Sequence, residues 1–260
     1  MEVADYIDAL DREGALLADA AEDAGLAADV RSCPGWQVRD LVRHQMYVHG
    51  WAARHVRDRL PEVLDGETEQ DILAGGPPDA GLIAAYRDGH AALVAILRDA
   101  DPDIEVATFM PAASPLAFWA RRQAHETAIH RLDAQGAGKA GAPDPVGAFD
   151  PVFAADGIDE LIMCFAARRR YRLRDDRELS LAVRPGDAEG GWQVRLADGS
   201  TEVSRGGGGG DATADCVLAG PAAGLYAFLW NRSDAAAAAI TITGSPEVLA
   251  VWHGNVRVSW

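Results

Sequence analysis

The strongest constraint on this chain is a period. Through Tyr6 to Leu26, Val38 to Leu60, Leu82 to Leu97 and Leu116 to Leu132, apolar residues return every three or four positions, which lines them up on one stripe of an α-helix. A helix with one apolar stripe must bury it against another element, and four such helices in succession predict a bundle. The connections carry the residues that stop helices: Cys33-Pro34-Gly35, Gly75-Gly76-Pro77-Pro78 and Met110-Pro111.

Beyond a Pro/Gly-rich connection from Gly136 to Pro151, a fifth helix is expected from Ala155 to Arg170, ending in Arg168-Arg169-Arg170. The period then shortens. Leu179 to Arg184, Gly191 to Leu196, Thr201 to Ser204 and Ala214 to Leu218 are short alternating or β-branched runs parted by Gly and Asp, as in an antiparallel meander. Helical pieces at Ala222 to Trp230 and Pro246 to Trp252 flank a strand at Ile240 to Thr243, and Asn255 to Trp260 reads as a closing strand. Gly206 to Gly210 lacks the order of a phosphate-binding loop and is expected to be a hairpin connection; Ala235 to Ala239 is expected to be a loop or helix end. The fold class is therefore α+β, with a helical domain over residues 1–150 and a small α+β domain over 151–260.

A formal charge of -16, from 40 acidic against 24 basic residues, disfavours phosphate backbones and anionic lipid as partners. No window approaches the roughly 20 consecutive apolar residues of a membrane span, and the N-terminus MEVADYIDALDREGALL is acidic where a signal peptide is basic, so a cytoplasmic protein is expected. Cys33, Cys164 and Cys216 are odd in number, far apart and without a CxxC pair, which argues against a disulfide scaffold or a thiolate zinc site. Any thiol chemistry would use a borrowed thiol.

The chemistry concentrates in RRQAHETAIHRLDA and DLVRHQMYVH. Glu126 and His130 are four residues apart, about 40° around a helix, and project from one face. His125 and His130 are five apart, about 140°, so HETAIH is not the zinc-protease HExxH; His125 is expected to turn toward solvent or a neighbouring helix. A single helical histidine is ordinarily a hydrogen-bonded core residue. His44 on a second helix, joined to Glu126 and His130, instead makes a two-histidine, one-carboxylate set with coordination positions left open. Asp133, three residues after His130, is placed either to accept a hydrogen bond from that imidazole or to sit on the surface.

These two segments, PGWQVRDLVRHQMYVHGW and RRQAHETAIHRLDA, together with DGIDELIMCFAARRR, GPAAGLYAFLWNR and VWHGNVRVSW, resemble the mycothiol-dependent maleylpyruvate isomerase family over nearly the whole chain. The resemblance implies a DinB-like metal-binding four-helix bundle followed by a sterol-carrier-like α+β domain. It further implies a divalent metal, zinc, held by His44, Glu126 and His130, with mycothiol as a thiol cosubstrate and a small electrophile as substrate. Arg232, in LWNRSD, matches the place where the family's second domain offers a basic residue toward the active site. Isomerisation and S-transfer are both expected of such a site. Two other classes stand beside them: a thiol-independent metalloenzyme using metal-bound water, and a non-catalytic small-molecule binding or resistance protein.

Overall fold

The computed structural model describes residues 1–139, 144–167, 177–197, 200–206 and 214–256. Contacts divide the chain into two compact units, residues 1–141 and 142–259.

In the first unit, α1 (Val3–Ala24), α2 (Val38–Asp58), α4 (Asp79–Asp99) and α5 (Pro115–Gly136) stand where the periodic stripes predict them. Each packs chiefly against two of the others, α1 against α4 and α5 and α2 against the same pair, with a smaller contact between α1 and α2. Leu17, Ala21, Val38, Leu41, Leu82 and Tyr86 close part of the shared core. A short helix, α3 (Glu69–Ala74), lies in a stretch that the sequence leaves without structure; Thr68 caps it by accepting the Asp71 N–H at 3.2 Å. Six residues are too few to show a period. Among the described residues one helix, α4, is long and apolar enough to cross a membrane by length and composition, but its Leu82, Tyr86, His90, Leu93, Val94 and Leu97 form a single buried stripe, as in a bundle helix.

The exception to one-sided burial is α5. Ser114 caps it through the Ala117 N–H and Pro115 starts it, and from Leu116 to Ala134 every residue except Ala117 and Arg121 is buried. The helix therefore carries Arg122, Gln123, Glu126, His130, Arg131 and Asp133 into the interior. Charges there must be paired. Arg131 Nε accordingly donates to Glu13 of α1 at 2.6 Å.

In the second unit, α6 (Pro151–Asp159) continues as a π-helical segment, Glu160–Ala166, where a helix is expected; Arg168 to Arg170 lie outside the described residues. A five-stranded sheet follows, with β1 (Leu179–Pro185), β2 (Trp192–Ala197), β3 (Ser200–Arg205), β4 (Cys216–Gly220) and β5 (Thr241–Gly244) in the order β3-β2-β1-β4-β5. Only β1, β2 and β3 form the expected meander. β4 crosses to the other edge of β1 and pairs with it in parallel, while β5 is antiparallel to β4. Alternation marks strands and their faces but not their neighbours, which is why the sequence misses this. α7 (Ala222–Leu229) and α8 (Glu247–Asn255) are further described helices of the unit. Asn255, expected to open a closing strand, instead ends a helix, its side chain donating to the Val251 carbonyl at 2.8 Å; residues 257–260 lie outside the described set, as do 207–210 of the glycine run. Ala235 to Ala239 form turns.

Candidate metal centre

Two packed helices bring the predicted set together. His44 Nε2 from α2 lies 3.3 Å from Glu126 Oε1, and His130 Nε2, one turn along α5, lies 3.2 Å from the same oxygen. All three side chains are buried, at 4%, 3% and 7% exposure, and their ligating atoms lie within 4.8 Å of one another. As hydrogen bonds these contacts are long. As edges of a coordination shell they fit: bonds of about 2.0–2.1 Å to zinc at tetrahedral angles set neighbouring donors about 3.3 Å apart. The donor set, two imidazoles and one carboxylate, is that of an ion with an open position.

A second layer fixes these groups. His130 Nδ1 donates to Asp133 Oδ2 at 2.8 Å, which leaves Nε2 to face Glu126. Of the two places the sequence allows Asp133, the structure takes the one at the imidazole. Asp133 also accepts from the Ser32 hydroxyl and, at 3.7 Å, from the Cys33 thiol. Trp36 packs its ring 5.2 Å from that of His44, so the turn before α2 touches both histidines' surroundings. On the far side of the carboxylate, Arg122 Nη2 donates to Glu126 Oε2 at 2.7 Å. Gln45 Nε2 donates to the Glu126 carbonyl at 3.4 Å.

These contacts set the protonation states. Burial pushes the Glu126 carboxyl up, but hydrogen bonds from His130 and His44 and the charge of Arg122 overcome it and hold the group well below the usual carboxylate range. Burial dominates at His44 and lowers its pKa. At His130 burial also opposes the charge, yet its bonds to Asp133 and Glu126 win and raise its pKa to about 9. Two neighbouring imidazoles thus differ in charge at neutral pH: burial outweighs the hydrogen bond to Glu126 at His44, whereas hydrogen bonds to both Asp133 and Glu126 outweigh it at His130.

Other residues fall elsewhere. His125 is fully buried with its ring edge-on to Tyr6 of α1, centroids 6.4 Å apart, so it faces a neighbouring helix. His49 Nε2 meets Thr127 Oγ1 at 2.9 Å, and its ring packs with those of Tyr86 and His90. Arg232 belongs to the second unit, where its Nη1 donates to the Trp230 carbonyl at 2.8 Å. Arg122 went unread in the sequence, although the spacing that joins Glu126 to His130 also joins Arg122 to Glu126 one turn earlier.

Comparison with known proteins gives two domain matches that tile most of the chain. Residues 7–135 match the model for the mycothiol maleylpyruvate isomerase N-terminal domain, and residues 153–250 match that of the corresponding C-terminal domain. Among solved structures, that of a mycothiol-dependent maleylpyruvate isomerase superposes with a TM-score of 0.62 at 13% identity, covering 94% of this chain and 93% of the other. A histidine-to-alanine mutant of a mycothiol-dependent maleylpyruvate isomerase gives the same values. At that identity the likeness speaks to the fold. No curated protein matches the sequence.

Proposed function

Because the chain belongs to the mycothiol maleylpyruvate isomerase family, we propose that it is a cytoplasmic, metal- and mycothiol-dependent enzyme acting on a small electrophile by isomerisation or S-transfer. In this reading His44, Glu126 and His130 hold one divalent ion, zinc by the nitrogen and oxygen donors present. The observation that carries it is the convergence of both Nε2 atoms on Glu126 Oε1 at tetrahedral-edge distances.

Bound there, the ion supplies Lewis acidity that keeps a thiol, of pKa about 8.5 when free, as its nucleophilic thiolate at neutral pH. The chain's own residues do the rest. Asp133 holds the Nδ1–H of His130 and so presents Nε2 to the site, Trp36 braces His44, and burial keeps competing water scarce. The thiolate adds to an electrophilic carbon of the substrate. The electron pair of the carbon–carbon double bond moves onto the conjugated carbonyl as an enolate; if the adduct rotates about its new single bond and that pair returns to expel the thiolate, the outcome is cis–trans isomerisation, and if the enolate carbon instead takes a proton from water, the outcome is S-transfer. Arg232 is proposed to bind a carboxylate of the substrate, a role that suits the fixed, forked donors of a guanidinium.

The test is metal content of purified wild type beside Glu126→Ala, then mycothiol titration of both, then turnover of maleylpyruvate and simple electrophiles with and without the thiol. Near-stoichiometric metal and thiol binding that vanish together in Glu126→Ala, with turnover that needs the thiol, support the reading. Turnover with metal alone would replace it with a hydrolytic site. Wild type that stays metal-free after reloading would refute it.

A further inference from the structure

Glu126 has two carboxylate oxygens, and the structure treats them differently. Oε1 faces both histidine nitrogens, while Oε2 is held by Arg122 at 2.7 Å. Arg122 is almost fully buried, at 1% exposure, and sits one turn before Glu126 on the same helix, so the pairing is built into α5 and needs no other element to set its register. A charge-assisted bond of this length occupies Oε2 in the direction of the guanidinium.

Building on the proposed metal site, we infer that Arg122 is a positioning residue that makes Glu126 a one-oxygen ligand and thereby keeps a coordination position open for an anionic sulfur. Two physical arguments support this. A carboxylate that turned both oxygens to the ion would fill two positions and crowd out the incoming ligand; Arg122 holds the second oxygen away. Among the described residues, Arg122 also bears on the balance of charge around the ligands. A divalent ion, Glu126, Asp133 and Arg122 leave one positive charge, which a thiolate neutralises. Without the guanidinium the same set is neutral before the thiolate arrives and negative afterwards, and a net charge in a buried site is disfavoured.

The experiment uses cobalt(II) as the probe, because its visible absorption is strong when four-coordinate and weak when five- or six-coordinate. Wild type, Arg122→Met and Arg122→Lys are titrated with cobalt(II), then with mycothiol. Wild type is expected to take up one cobalt and show the strong bands on adding thiol. Arg122→Met should bind cobalt about 10- to 100-fold more weakly, the usual cost of removing a group that orients a ligand, and show absorptivity lowered several-fold with weakened thiol binding. Arg122→Lys should recover much of both. An Arg122→Met protein with wild-type spectrum and thiol affinity would overturn the inference while leaving the metal site standing; wild type that takes up no cobalt would overturn both. Should Arg122→Met fail to fold by circular dichroism, Arg122→Gln takes its place. That variant keeps a donor but not the charge: weaker thiol binding supports the inference and wild-type thiol affinity overturns it.

Discussion

Metal uptake should release close to one proton at neutral pH, and the affinity should rise with pH. In the metal-free site Glu126 is ionised and His44 neutral, while His130 is protonated because its pKa is raised to about 9. Its Nδ1 proton stays with Asp133 at 2.8 Å, so an ion must displace the Nε2 proton. With the folded pKa at about 9, only about one site in 100 is deprotonated at pH 7, a penalty of about 3 kcal/mol. Apparent affinity should therefore climb about tenfold per pH unit from neutrality and level off above pH about 9. The assay is calorimetric titration with zinc held in a chelator buffer, repeated in buffers of different protonation enthalpy to count protons. A proton count near zero at pH 7, with affinity flat up to pH 9, would show that His130 is neutral in the free protein and refute the reasoning.

The same proton gives the metal-free protein a pH-dependent stability. A pKa raised above its unfolded value contributes stability that is present below pH about 6.5 and lost as pH rises through about 9, so denaturant midpoints of the metal-free form should fall across that window while those of the loaded form change less. His44→Ala should abolish metal uptake measured by elemental analysis, whereas His125→Ala should retain it and instead lower the melting temperature, since His125 packs on Tyr6 with no exposure. Gly14→Ala would set a Cβ 2.2 Å from the His90 ring and should cost about 1–3 kcal/mol despite alanine's better helix propensity. In a His90→Ala background the same change should be neutral or stabilising in chemical denaturation, and an equal cost in both backgrounds would show that the ring is not the obstacle.

How much of this was legible depended on whether the information was periodic. The four long helices and the Glu126–His130 face follow from a 3.6-residue repeat, and both appear as expected. His44 could be attached to that face because it lies on a second strong stripe. What escaped is what no period encodes. The parallel pairing of β4 with β1 is a choice of neighbour, and α3 is shorter than the window that reveals a helix. The burial of α5 on all sides was hidden for a different reason: the charges of Arg122 and Arg131 do not announce a buried position, yet they pair there with Glu126 and Glu13, and Asp133, which the sequence allows at the imidazole or on the surface, holds His130.

That pairing changes what loss of a ligand should do. A core built only of the apolar stripes would be indifferent to the ion, and any ligand could be removed without cost to the fold. Around α5 the core is ionic. In the metal-free chain the proton on His130 does in part what an ion would do, joining the carboxylates of Glu126 and Asp133 through one imidazole. His44→Ala leaves this chain of charges intact and should fold nearly as well as wild type. Glu126→Ala breaks it at the centre, removing the carboxylate that pairs with the Arg122 guanidinium, itself at 1% exposure, and removal of one partner from a buried pair typically costs about 3–5 kcal/mol. Two variants that lose the same metal should thus differ in stability. Equal melting temperatures for the two would mean that the ion pairs of α5 contribute little and that the apolar core alone holds the bundle.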